Sequence, residues 1–153
     1  VYNLGIPSET TSDLIKRIKN ECESRNPNTV IISIGINDAL YLNDIEKNKT
    51  DIETFEKNIE EIINICKVYA RNILFVGLTR VNEKSTIPIR WNHNESYLNE
   101  NIEKYNKKIE ECCYKKQITF LNVLEEQDLD IDGIHPNDIG HKKLFEIIKE
   151  KLM

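Results

Sequence analysis

Residues 29–38 read TVIISIGIND. The first six, Thr29 to Ile34, form a short and nearly continuous β-branched run, the pattern of a strand buried on both faces of a parallel sheet. Gly35-Ile36-Asn37-Asp38 then opens a loop that extends to Asn48. A buried parallel strand requires crossover helices on its faces, so the flanking segments decide whether the assignment holds.

Upstream, Thr10, Thr11 and Ser12 offer N-cap oxygens to a helix whose apolar face runs Leu14, Ile15, Ile18 and Cys22 and which should end near Asn26-Pro27. Downstream, Thr50-Asp51-Ile52-Glu53 is a capping box, and Ile52, Phe55, Ile59, Ile62, Ile63 and Cys66 recur at helical spacing to about Tyr69. Asn72 to Leu78 gives a second buried strand, followed by a polar, Pro-containing loop to about Asn94. Leu98, Ile102, Tyr105, Ile109 and Cys112 or Cys113 then mark a helix, and Gln117 to Val123 a third strand. A final helix after His135-Pro136-Asn137 should turn Leu144, Phe145, Ile147, Ile148 and Leu152 inward. Strands alternating with helices of this length imply right-handed βαβ crossovers, hence an α/β fold with a parallel sheet covered on both faces. A length of 153 residues suits one domain over residues 1–153.

Composition narrows the function classes. Hydrophobic residues at 39% with charged residues at 31% suit a globular chain and not a disordered one. The net charge is -5, and the basic residues are interleaved with Glu instead of forming a stripe, which argues against a nucleic-acid partner. No apolar run reaches the length of a membrane span. Cys22, Cys66, Cys112 and Cys113 include no CxxC pair, which suits neither a disulfide framework nor a zinc site. Reduced thiols on helix faces, and so a cytoplasmic setting, are expected. Residue 1 is Val, and Val1-Tyr2-Asn3-Leu4 reads as the end of a strand with no turn before it, so a segment is expected upstream, with any signal peptide lost with it.

In open α/β sheets, working groups gather beyond the carboxyl ends of the strands. Gly5 to Thr11, Gly35 to Asp38 and Asp132 to Pro136 qualify. Asp132 and His135 stand three apart across Gly133, a spacing that lets the carboxylate accept the imidazole Nδ1 proton and leave Nε2 as a base. The same residues also read as a turn at Asp132-Gly133 and a helix cap at His135. Asn37 follows a buried strand and could aim its amide into the crevice as an oxyanion donor, although Asn is also an ordinary turn residue. Asp38 is assigned to structure, as an acceptor for nearby backbone N–H groups. Asp128, Asp130 and Asp132 lack the Gly and distal Glu of a calcium loop, so no metal is expected. His93 and His141 read as surface or packing residues. Trp91, with Ile87, Pro88 and Ile89, reads as a hydrophobic plug before it reads as the wall of an acyl pocket.

In combination these segments resemble the SGNH (GDSL-type) hydrolase family. Gly35-Ile36-Asn37-Asp38 matches its G-x-N-D block and Asp132-Gly133-Ile134-His135-Pro136 its D-x-x-H-P block. Residues 1–11 resemble its second block, and Phe75-Val76-Gly77-Leu78-Thr79 with Tyr105-Asn106 is similar to what lies between the last two. The resemblance implies a flavodoxin-like α/β/α sandwich and an ester hydrolase without a cofactor, acting on a small-molecule ester. His135 would be its base, Asp132 the orienter and Asn37 an oxyanion donor. Ser8 stands where the family usually has Gly, and since positive φ costs serine more, Ser8 is the weaker backbone donor. The family's first block, a strand ending in Gly-Asp-Ser, does not occur, and Ser8, Ser12 and Ser33 are poor substitutes for its nucleophile. Without that nucleophile the 153 residues alone should not turn over an ester, and in the family's 2-1-3-4-5 strand order the missing strand would lie between Val1–Asn3 and Thr29–Ile34, leaving two backbone edges unpaired. The alternatives are a non-catalytic carbohydrate- or lipid-binding module of the same fold, or a nucleotide or flavin binder, which would want a phosphate loop that is not present.

Overall fold

Thr10 begins the regular structure. Its hydroxyl and backbone join Asp13 in a capping box at the start of helix α1 (Thr11–Arg25), and Asn26 closes that helix in the left-handed region. Strand β1 (Thr29–Ile32) follows, then two-residue strands β2 (Tyr41–Leu42) and β3 (Lys47–Asn48), helix α2 (Ile52–Tyr69) and strand β4 (Asn72–Val76). A one-turn helix α3 (Glu83–Thr86), strand β5 (Glu95–Ser96), helix α4 (Asn99–Lys116), strand β6 (Thr119–Leu121) and helix α5 (Asp138–Leu152) complete the order. This computed structural model describes residues 1–123 and 128–152.

The main sheet is parallel, in the order β1-β4-β6, with Val30 opposite Ile73, Ile31 opposite Leu74 and Phe75 opposite Phe120. Because side chains alternate across a strand, β4 feeds two cores. Ile73 and Phe75 join Ile18, Phe55, Ile59, Ile62, Ile102, Tyr105 and Ile109 beneath α1, α2 and α4. Leu74 and Val76 meet Leu121 and Val123 on the other face, under Leu144 and Ile148 of α5. The result is the expected three-layer α/β/α arrangement. Phe55, Ile59, Ile62 and Ile63 are completely enclosed, at roughly 1.5–3 kcal/mol of hydrophobic stabilisation per side chain. Tyr105 tilts onto Phe55 with ring centroids 4.8 Å apart, and its hydroxyl donates to the Thr50 carbonyl.

Several expectations are corrected. Val1–Asn3 is not a strand: no strand among the described residues runs beside it to pair with its backbone, and Val1 and Tyr2 are exposed. β1 is shorter than Thr29–Ile34 and is not buried on both faces. It is an edge strand, α5 lies over β4 and β6, and Ile31 is left 45% exposed. α2 is capped by Asp51, whose carboxylate accepts from the Thr54 N–H at 2.8 Å, one residue later than the Thr50 box implies. In α5 only Leu144 and Ile148, four residues apart, pack into the core beneath the helix. Phe145 is 59% exposed because it projects from another side of the helix, and Ile147 and Leu152 are also exposed. The segment expected as loop from Gly35 to Asn48 carries β2 and β3, which form a small antiparallel sheet with β5 in the order β3-β2-β5. This second sheet is joined to the carboxyl side of the main one by the loops after β1 and β4.

Candidate active site

Residues 129–136, just ahead of α5, are folded into a tight loop by their own backbone. Leu129 bridges Pro136, Asp130 N–H donates to the His135 carbonyl at 2.7 Å, and Gly133 N–H donates to the Asp130 carbonyl at 2.9 Å. Gly133 has φ +76, and a Cβ there would come within 2.9 Å of Ser85 Cβ, so the tight fold requires glycine. Within this frame Asp132 Oδ1 accepts the Ile134 and His135 N–H groups at 2.8 and 3.0 Å, while Oδ2 lies 2.6 Å from His135 Nδ1. Burial raises the Asp132 carboxyl, but the imidazole and the two amides outweigh it and hold it below the usual carboxylate range. With Nδ1 engaged, Nε2 faces outward on a side chain that is 71% exposed. His135 does not cap α5. Asn137 does so, its Oδ1 accepting from Ile139 and Gly140 N–H at 2.9 and 3.0 Å.

The loop after β1 turns at Gly35, φ +122, where a Cβ would meet the Phe55 ring at 3.1 Å. Asp38 is completely buried and accepts from Thr11 through N–H at 3.0 Å and hydroxyl at 2.6 Å. Burial pushes its carboxyl up, and the Thr11 hydrogen bonds offset only part of that. It fastens the start of α1 to the β1 loop. The neighbouring Asn37 amide donates from Nδ2 to the Glu9 carbonyl at 3.0 Å and accepts the Tyr97 hydroxyl on Oδ1 at 2.9 Å. Arg17 grips the Glu9 carboxylate with two nitrogens and donates to the Leu4 carbonyl at 2.8 Å, fixing the segment around Ser8. Ser8 is exposed with φ +64, the left-handed conformation that disfavours serine.

Parallel strands put both loops on one edge of the sheet. β1 and β6 are separated by β4 alone, hence by roughly 10 Å at ordinary strand spacing. The segment between β4 and α4 spans the gap: Asn82 N–H donates to the Gly133 carbonyl at 2.8 Å, Thr86 and Tyr97 exchange hydrogen bonds at 3.0 Å, and Tyr97 reaches Asn37. Among the described residues no hydrogen bond joins Asn37 directly to His135, and no serine hydroxyl pairs with His135. The Ser12 hydroxyl accepts from Asn58.

Trp91 is 61% exposed and does not plug the fold, because its loop turns it to solvent. His93 lies in the segment between α3 and β5, and His141 lies near the start of α5. All four cysteines are unpaired and sit inside the core, where burial pushes the Cys66 and Cys113 thiols up to about 12. Cys112 lies beside Glu56 and Glu60, but Lys108 and Lys115 already pair with Glu56. Tyr97 and the Arg17–Glu9 clamp escaped sequence reasoning, since nothing local in the sequence ties them to Asn37.

The chain matches the GDSL-like lipase/acylhydrolase family over residues 1–143. Its fold is similar to that of Axe2, an acetylxylan esterase from Geobacillus stearothermophilus, at TM-score 0.76 and 20% identity over 97% of this chain and 69% of that one. Catalytic mutants of Axe2 replace a serine, an aspartate and a histidine, the last two three residues apart in that protein. LAE5, an α/β hydrolase enzyme from the metagenome of Lake Arreo, Spain, is similar at TM-score 0.71 and 17% identity over 92% of this chain and 66% of that one. No curated protein sequence matches significantly. Since the family pattern runs from Val1 through the Asp132–His135 loop and into α5, the chain belongs to the GDSL-like lipase/acylhydrolase family.

Proposed function

We propose that this hydrolase-family chain serves a serine esterase acting on a small or medium acyl ester, with His135 as general base and Asp132 as its orienter. The observation that carries this is the 2.6 Å contact between Asp132 Oδ2 and His135 Nδ1, which leaves Nε2 pointing out of the loop. A carboxylate on Nδ1 fixes the tautomer and stabilises the imidazolium that forms when Nε2 accepts a hydroxyl proton. The serine oxygen then bonds to the acyl carbon, and the carbonyl electrons move onto oxygen. Asn37 Nδ2 and, more weakly, the Ser8 N–H stabilise that oxyanion. Collapse expels the alcohol with the proton held by His135, and water, deprotonated by the same nitrogen, releases the acid.

On this account the nucleophile comes from outside the 153 residues. The outer edge of β1 has no partner among the described residues, and the exposed Ile31 beside it offers apolar surface for a further parallel strand. A strand there would end on the same edge as Asn37. Residues 1–153 are therefore expected to be inactive alone.

The test is p-nitrophenyl acetate turnover by the protein together with its natural upstream sequence. His135→Ala is expected to lower kcat by about 10³-fold or more. Turnover that survived this change would overturn the assignment of the base.

A further inference from the structure

We propose that Tyr97 is a positioning residue, whose hydroxyl sets the orientation of the Asn37 amide and thereby aims one N–H of Nδ2 at the developing oxyanion. This rests on the reading of Asn37 as an oxyanion donor. An asparagine side chain has two unlike ends, and only one orientation presents a donor to a substrate oxygen. Two neighbours decide the matter. The Glu9 carbonyl, 3.0 Å from Nδ2, can only accept, and the Tyr97 hydroxyl, 2.9 Å from Oδ1, is placed to donate. Rotating the amide by half a turn would oppose two carbonyl oxygens at Glu9.

Tyr97 is well fixed for this task. Its ring is 6% exposed within the main core. Its backbone N–H donates to the Thr86 carbonyl at 3.0 Å, and its carbonyl accepts the hydroxyl of the fully buried Thr86 at 3.0 Å. Burial pushes its phenol up to about 12, so it remains a neutral donor at any pH where an ester is turned over enzymatically. One Nδ2 proton goes to Glu9, and the second has no acceptor among the described residues. Donation into Oδ1 also polarises the amide and strengthens that remaining N–H as a donor. The small sheet acquires a purpose, since β5 leads directly into Tyr97 and ties it to β2.

The experiment is a double-mutant cycle in the protein with its natural upstream sequence, read by p-nitrophenyl acetate kinetics. Asn37→Ala should lower kcat by about 100-fold and Tyr97→Phe by about 10-fold with KM nearly unchanged, and the double mutant should be no slower than Asn37→Ala alone. In parallel, Tyr97→Phe should move the Asn37 side-chain amide resonances and speed their hydrogen exchange. Full kcat in Tyr97→Phe beside a slow Asn37→Ala would overturn this inference alone, as would losses that multiply in the double mutant. An unchanged kcat in Asn37→Ala would overturn the oxyanion role itself. Unmoved Asn37 resonances in a folded Tyr97→Phe protein would overturn the contact, whatever the kinetics.

Discussion

Asp132 holds His135 through contacts that are local in the chain. One oxygen accepts two backbone N–H groups and the other the imidazole, all within three residues. Such an arrangement leaves its mark in a sequence as D-x-x-H with a glycine between, and so it is legible. Its folded carboxyl lies below the usual range, so the sign of its pH dependence follows. The stabilisation is fully present above the ordinary carboxylate value and is lost as pH falls through the depressed folded value. The melting temperature of the wild type should therefore exceed that of Asp132→Asn at pH about 7, with the gap narrowing toward pH about 3. A gap that stayed constant over this range would mean that the ionised carboxylate contributes nothing. Asn37 was half legible: its place after a strand could be read, but the Tyr97 hydroxyl that donates to its side chain lies sixty positions away. No spacing rule reaches that far.

At the scale of elements, legibility follows length. α2 and α4 span 18 residues each and declare their buried faces through several turns of periodicity. β2, β3 and β5 have two residues each, too few for any alternation to register. α5 failed differently, because its apolar residues occupy more than one side and only the pair at Leu144 and Ile148 finds the sheet. Packing between elements can also be read back onto single residues. Gly77, just past β4, lies where α4 and β6 meet: a Cβ would come 2.6 Å from Asn106 Oδ1 and 3.0 Å from the Leu121 carbonyl. Asn106 is there to accept the Leu78 N–H at 2.8 Å. Gly77→Ala should consequently lower unfolding free energy by about 1–3 kcal/mol, measured by chemical denaturation. An unchanged midpoint would show that α4 can retreat without loss.

For the whole molecule, the parallel sheet does the gathering. Three strands pointing the same way bring loops separated by about a hundred residues of sequence to one edge, with the 79–98 segment as a bridge between them. The alternation of strands and helices made this much readable, including the side of the sheet on which the loops emerge. It did not reveal that β1 would be an edge, because that depends on which strands pair with it, nor that Ile31 would stay exposed, because that depends on how far α5 reaches across the sheet; the run's own composition records neither. No helix of the described residues is long and apolar enough to cross a membrane. The central claim is that the Asn37 amide and the Asp132–His135 pair address a single tetrahedral centre. Its most direct test is a crystal structure of the protein, with its natural upstream sequence, after reaction with a p-nitrophenyl phosphonate ester. The phosphoryl oxygen is expected within about 2.7–3.1 Å of Asn37 Nδ2, with His135 Nε2 hydrogen-bonded at the serine–phosphorus linkage. A phosphonyl group turned away from Asn37, or a modified residue out of reach of His135, would contradict it.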